Sequence, residues 1–325
     1  MHELTTYELL IISAGAIGLG IWLLVKGGDW TVDNAIAVAS RTGLSKLFIA
    51  ATIVAFGTSA PELFTSVNAN LSGFPGISVG NVIGSNIANV FLVVAVAAMI
   101  APVLFKRSEV LTDTIVMLGA TAGMAAAIIA GILPQWGGLI MLAVLVAYVL
   151  YQYKTNKLDD EAVEEADVDT KHPVLMLIVG IVTLLIGSEI LVQGAVASGI
   201  ALGVPEAVIS VTLVAFGTSL PELTACIAAA RKGQNDMIVG GIIGSNIFNI
   251  LSVMAISAIS KPLLIDAHFA NFDLIVVMAV TLIFSAFLLF AGKIGRMAGG
   301  AMALLYIAFV ITQYVVNGST ITVVL

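Results

Sequence analysis

Charge is what this chain of 325 residues lacks: Asp, Glu, Lys and Arg make up only 10% of it, against roughly 25% in a soluble domain. Hydrophobic side chains reach 60% and the mean hydropathy is +1.11. A globule of this size does not enclose enough core for them, so the bilayer is the expected solvent. The short alternating segments of a lipid-facing β-barrel are missing. Cys226 is the single cysteine, which excludes an internal disulfide. His2, His172 and His268 fall in tails or predicted loops, so there is no His/Cys cluster for a transition metal. The opening residues, Met-His-Glu-Leu-Thr-Thr-Tyr-Glu, lack the basic stretch and cleavage site of a signal peptide, and the first span is expected to stay in the mature protein. The net charge of −7 sits mostly in one loop. It points to no nucleic-acid partner, and no cofactor is expected.

What is there is a series of apolar runs of membrane-spanning length. The pattern predicts an all-α integral membrane protein of ten helices, over 8–41, 45–71, 77–101, 110–130, 135–153, 173–200, 205–230, 237–259, 271–291 and 297–316. The first and sixth are long and need tilt or an interfacial extension. Residues 154–172 form the only long polar segment. It is rich in Asp and Glu but lacks the Gly-turn spacing of a Ca²⁺ loop, so it reads as a solvated linker. The chain then divides into a first five-helix repeat (1–153), an acidic cytoplasmic linker (154–172) and a second five-helix repeat (173–325). With ten spans, every Lys and Arg except Lys261 falls on one side of the membrane. That bias places the basic side in the cytoplasm of a multi-pass cytoplasmic-membrane protein, with both termini outside. A monomer is the expected assembly.

One block is written twice. Ala55-Phe-Gly-Thr-Ser-Ala-Pro-Glu-Leu63 returns as Ala-Phe-Gly-Thr-Ser-Leu-Pro-Glu-Leu at 215–223. Gly84-Ser-Asn-Ile-Ala-Asn89 returns as Gly244-Ser-Asn-Ile-Phe-Asn249 at the same offset of 160 residues, as from Glu62 to Glu222. Five helices per half force the second half into the membrane in the opposite sense. Inverted-topology repeats of this kind occur in secondary transporters, with the site at the repeat interface near the midplane. The similarity falls on Thr, Ser, Glu and Asn, which lipid-facing packing would not need.

Glu62 and Glu222 lie inside otherwise apolar runs, where a charge costs at least a few kcal/mol unless paired or hydrated. Two such carboxylates brought together need a proton or a cation between them. Pro61 and Pro221 remove a helix donor and crowd the carbonyls of Gly57 and Gly217. The helix is expected to open there and free backbone oxygens, tolerable in a membrane only if something satisfies them. Thr58 and Glu62, four apart, are expected to share a face, so that an unpaired carbonyl and a carboxylate converge. Ser85 and Asn89 share a face on the third helix, and Ser245 and Asn249 on the eighth. All these ligands are oxygen, which suits hard cations such as Ca²⁺ or Na⁺. Asn86 and Asn246 point elsewhere on the wheel, toward structural hydrogen bonds. Asp29 and Glu189 are expected near the interfaces. The stripe Gly76, Gly80, Gly84 reads as helix packing.

At these residues the chain resembles the sodium/calcium exchanger family, whose two α-repeats carry the Gly-Thr-Ser-x-Pro-Glu and Gly-Ser-Asn-Ile-x-Asn blocks found at 57–62, 84–89, 217–222 and 244–249. The resemblance implies a diamond of cation sites at mid-membrane. Glu62 and Glu222 would bind Ca²⁺ with the carbonyls of Thr58 and Thr218. Ser59, Ser85, Ser219 and Ser245, with the Ala55 and Ala215 carbonyls, would form flanking Na⁺ sites. Asn89 and Asn249 would complete the centre. It also implies Na⁺-for-Ca²⁺ antiport by alternating access, three Na⁺ for one Ca²⁺, with the first and sixth helices sliding across the other eight. Asn249 stands where potassium-dependent relatives carry aspartate, which disfavours K⁺. Gly240-Gly241 stands where the first repeat has Gly80-Asn81, a departure from symmetry beside one flanking site. Proton/Ca²⁺ exchange through the same glutamates remains the alternative, and a passive cation channel a more distant one. No nucleophile–base pair for an enzyme is visible.

Overall fold

A membrane interior offers no water to unpaired backbone, so apolar segments must close their own hydrogen bonds as helices. The computed structural model describes residues 6–155, 170–202 and 215–321, and these are overwhelmingly helical. In the first half α1 is Thr6–Thr42, followed by the pair α2 (Lys46–Thr58) and α3 (Ala60–Leu71). Then come α4 (Pro75–Ile100), α5 (Arg107–Ala130) and α6 (Gln135–Thr155). The second half runs α7 (Pro173–Ala201), the short α8 (Ala215–Thr218), α9 (Leu220–Arg231), α10 (Asn235–Ser260), α11 (Phe272–Ala291) and α12 (Arg296–Ile321).

Among the described residues eight helices are long and apolar enough to cross a membrane, and the bent pair α2–α3 makes a ninth. The beginning of the predicted seventh span, up to residue 214, lies outside the described residues, as do 156–169 of the acidic linker. The order of elements repeats: a long helix, a helix pair meeting at Thr-Ser, an enclosed helix, then two more. α4 and α10 are the most enclosed, whereas the most apolar stretches of α1 and α12 are the least buried. The outward surface carries large apolar side chains such as Trp22, Ile140 and Leu304, as lipid contact requires.

Two short strand pairings reveal the relation between the halves. β1 (Val103–Leu104) follows α4, and β3 (Leu263–Leu264) follows α10 at the equivalent place. β2 (Ile132–Leu133) follows α5, and β4 (Lys293–Ile294) follows α11. β1 pairs antiparallel with β4, and β2 with β3. α5, at 24 residues, separates β1 from β2 by about 36 Å at 1.5 Å per residue. Equivalent strands β1 and β3 therefore lie at opposite ends of the bundle, which is the signature of inversion. The pairings also put the α4–α5 and α11–α12 connections on one side, as the basic-residue bias demands.

The two halves interlock rather than sit side by side. α2 and α3 pack on α10, and α9 packs on α4, so each half's bent helix lies against the other half's enclosed helix. α1 and α7 pack along each other more extensively than any other pair. A Cβ added to Gly20 would lie 2.7 Å from the Cβ of Leu191, and one on Gly187 would lie 2.8 Å from that of Leu23. The bare backbones touch there. Sequence inspection singled out the glycines of the third helix and passed over this seam between α1 and α7.

Candidate ion-binding site

α2 ends at Thr58 and α3 begins at Ala60, with Ser59 between them at φ −79°, ψ 7°. The axis bends by 44°. Pro61 sits in the first turn of α3, where the missing N–H deprives no carbonyl of a partner. The expected opened helix interior is thus corrected: Pro61 starts a helix instead of kinking one. The Ser59 N–H still reaches the Ala55 carbonyl at 3.0 Å. The second repeat copies the arrangement, with α8 ending at Thr218, Ser219 at φ −87°, ψ 1°, and α9 beginning at Leu220. Glu62 and Glu222 consequently occupy the first turns of α3 and α9. Helix N-termini present partial positive charge, which favours carboxylates there.

Both glutamates are buried, at 1% and 4% exposure, and hydroxyls of both repeats surround them. Ser59 Oγ donates to Glu222 Oε1 at 3.3 Å, next to Thr58, whose hydroxyl donates to the Ala55 carbonyl. The Thr218 hydroxyl bonds Glu62 from the other direction. Ser85 Oγ donates to Glu62 Oε1 at 3.4 Å from α4. The expected convergence of Thr58 with Glu62 on one face assumed an unbroken helix. The bend at Ser59 breaks that helix between the two residues.

The asparagines cross as well. Asn89 Nδ2 donates to Asn246 Oδ1 at 3.0 Å, and Asn249 Nδ2 donates to Asn86 Oδ1 at 3.2 Å. Asn86 and Asn246 therefore make the structural hydrogen bonds expected of them, and their partners are the two site asparagines. Asn89 and Asn249 each open a π-helical turn, Asn89–Val94 and Asn249–Met254. Such turns insert a residue into the helix and cluster at functional sites; nothing in the sequence reading anticipated them.

This wiring leaves a matched set of oxygens. Glu62 Oε2, Glu222 Oε2, Asn89 Oδ1, Asn249 Oδ1 and Ser219 Oγ are buried without a hydrogen-bond partner. Each such group costs about 1–3 kcal/mol when left unmet. Ser59, Ser85 and Ser245 are buried beside them, as is Ala55, whose carbonyl also accepts the Thr58 hydroxyl at 3.3 Å. Ala215 opens α8. The donor set is all oxygen with two carboxylates, which fits Ca²⁺ or Na⁺ far better than a soft metal. Among the described residues no cluster of three His, Cys, Asp or Glu offers a transition-metal site.

Other polar residues stand apart. Asp29 and Asp33 meet Lys232 at 3.6 and 2.6 Å, and the exposed Glu189 accepts from Gln193 at 2.8 Å; neither Asp29 nor Glu189 joins the cage. Buried Asp113 of α5 is held by Tyr148 at 3.1 Å and by Gln152, both from α6. Asp273, its equivalent by the same offset, is held by Gln313. The sequence reading missed this α5–α6 and α11–α12 clasp, which the repeat offset would have exposed.

Fold and cage together define a polytopic membrane protein that encloses an oxygen-lined, doubly acidic centre between inverted halves. Comparison with known proteins agrees. The family model described as "Sodium/calcium exchanger protein" matches residues 12–154 and 172–315. The sodium/calcium exchanger MaX1 of Methanosarcina acetivorans is 30% identical over 91% of this chain and 97% of its own. The inner membrane protein YrbG of Escherichia coli is 31% identical over 85% of this chain and 88% of its own. Among solved structures, the sodium-calcium exchanger NCX_Mj soaked with Na⁺ and Sr²⁺ superposes with a TM-score of 0.80 at 32% identity, covering 92% of this chain and 97% of that one. The chain belongs to the sodium/calcium exchanger family. It is accordingly a cation/calcium exchanger of a membrane, a transporter class and not an enzyme class.

Proposed function

We propose that the protein is a secondary antiporter that exchanges Na⁺ for Ca²⁺ by alternating access, with the crossed cage as its ion site. The carrying observation is that Glu222, bonded by Ser59 of the opposite repeat, and Glu62, bonded by Ser85 of its own, each keep one buried oxygen free beside those of Asn89 and Asn249. Two buried carboxylates without a counter-charge would cost several kcal/mol. A single divalent cation cancels both charges. Monovalent cations cancel them too if more than one binds, and the serines Ser59, Ser85, Ser219 and Ser245 offer neutral oxygen for the additional sites. Competition between Ca²⁺ and Na⁺ follows from this shared neutralisation. The Ala55 and Ala215 carbonyls and those of Thr58 and Thr218 belong to the same ligand set.

In this reading the charge-balanced site permits α1 and α7, packed along one seam, to slide over the remaining helices. Residues 1–153 and 173–325 act as the two repeats, joined by the acidic linker 154–172. The basic loops face the cytoplasm and both termini lie outside. The protein works as a monomer in the lipid bilayer, with Ca²⁺ and Na⁺ as its ligands.

The test is Ca²⁺ flux in proteoliposomes under imposed Na⁺, K⁺ and H⁺ gradients, one at a time. Na⁺ alone is expected to drive uptake. Uptake driven by H⁺ in the absence of Na⁺ replaces this reading with proton/Ca²⁺ exchange. Conduction independent of any counter-ion replaces it with a channel.

A further inference from the structure

Behind the two glutamates the repeats differ. Behind Glu62, Asn81 Nδ2 donates to the Glu62 carbonyl at 3.2 Å and to Ser66 Oγ at 2.9 Å. The amide thus staples α4 to α3. At the equivalent positions the second repeat has Gly241 and Cys226. No amide spans the gap, and a cavity lies there instead. Its walls include Thr58, Glu222, Cys226, Ala229, Gly241 and Ser245.

Gly241 is not a packing glycine. A Cβ on its neighbour Gly240 would come within 2.6 Å of the Leu47 carbonyl, and one on Gly244 within 2.4 Å of the Ala51 carbonyl. A Cβ on Gly241 would meet nothing within 4 Å among the described residues. Cys226 lies one helical turn beyond Glu222, on the same face of α9. From Glu222 the cavity reaches Ala229, seven residues and about 10 Å further along α9. That is the end of α9 next to Arg231 and Lys232, on the side of the basic loops. There Lys232 pairs with Asp33 at 2.6 Å and Asp29 at 3.6 Å, both from α1, and α1 also supplies Val32 to the wall. The inverted counterparts of Asp29, Asp33 and Lys232 are Glu189, Gln193 and Ser72, which carry no cation.

We infer that this cavity is the approach by which ions reach Glu222 from the basic-loop side, that Gly241 keeps it open, and that Asn81 obstructs the equivalent approach to Glu62 from the opposite side. The inference rests on the ion-exchange reading of the cage. Its physical content is a difference in barrier. Glu222 lines the cavity, while the corresponding space behind Glu62 is spanned by an amide that must release two hydrogen bonds.

The experiment installs the first repeat's amide in the second, as Gly241→Asn, and compares initial Ca²⁺ flux in proteoliposomes with equilibrium Ca²⁺ binding to the purified full chain. Flux is expected to fall by about tenfold, a barrier increase of about 1.4 kcal/mol, with the binding midpoint kept. Flux at the wild-type rate overturns the inference, and so does an equal loss of binding, which would make Gly241 part of the cage. Cd²⁺ provides an arm independent of that variant's folding. It resembles Ca²⁺ in charge and size and favours thiolate, so it should be caught at Cys226 on its way to Glu222. Cys226→Ser, the residue of the first repeat, should raise the Cd²⁺ concentration that halves flux by about tenfold, each variant being compared with its own uninhibited rate. An unchanged midpoint overturns the inference. A wild type whose Ca²⁺ flux follows H⁺ rather than Na⁺ changes the function reading instead, and the same two comparisons are then read under that gradient.

Discussion

The two repeats carry the same site and support it differently. Each supplies a glutamate in a first helical turn, a Thr-Ser hydroxyl pair and an asparagine opening a π-helical turn. Behind these matched groups, the first repeat has Asn81 bonded to Ser66, while the second has Gly241 and Cys226 against a cavity. The first also uses Asn70 to grip the Ser257 and Lys261 carbonyls at the end of α10, at 2.8 and 2.7 Å. Its second-repeat equivalent is Ala230. Symmetry is kept at the buried carboxylate and amide oxygens of the cage and dropped in their surroundings. Under the proposed function, ligand chemistry constrains both copies equally, whereas the surroundings of the cage need not match.

The largest expected effect tests the equality of the ligands. Glu62→Gln and Glu222→Gln should each abolish Na⁺-dependent Ca²⁺ uptake, because either change removes half of the charge that balances Ca²⁺. Wild-type uptake in one of them would break the comparison at its centre.

A smaller loss is expected at the seam between α1 and α7. Gly187→Leu drives a side chain into the Leu23–Leu24 backbone, where even a Cβ would lie 2.8 Å from its neighbour. Overpacking of this kind costs about 1–3 kcal/mol, and it should lower both melting temperature and transport rate. Unchanged transport would show that the seam need not stay close-packed during the cycle.

The crossed amides allow a more delicate comparison. Asn86→Ala and Asn246→Ala each remove the acceptor that orients a site asparagine, and each should weaken Ca²⁺ binding by about 1 kcal/mol, roughly fivefold. Equal losses, measured by Ca²⁺ titration of the purified protein, support equivalent repeats. A marked inequality would place the ligand asymmetry inside the cage itself.

The least effect is expected from Lys232→Ala. Its ion pairs with Asp29 and Asp33 are partly exposed, and such pairs contribute about 0–1 kcal/mol. A small drop in melting temperature is expected. A large one would mean that the pair locks α1 against the end of α9.

Much of this was legible beforehand because it depends on local composition. Low charge and long apolar runs announce membrane helices, since each must satisfy its own backbone in hydrocarbon. The duplicated Thr-Ser-x-Pro-Glu block marked Glu62 and Glu222, because a carboxylate in such a run is expensive wherever the helix lies. Asn89 and Asn249 were legible by the same repetition.

Partners across the repeats were not legible. Ser59 meets Glu222 from 163 positions away, and Asn89 meets Asn246 from 157; no periodicity in one helix encodes such a pairing. The bend at Ser59 also decided that Pro61 starts α3 instead of kinking a continuous helix. The sequence by itself determined the membrane class, the duplication and which residues are polar inside it, because those follow from the cost of burying each residue type. Only the tertiary structure decided which oxygen faces which, and that Gly241 adjoins a cavity while Gly240 and Gly244 pack tight. Those outcomes depend on how two inverted halves interlock.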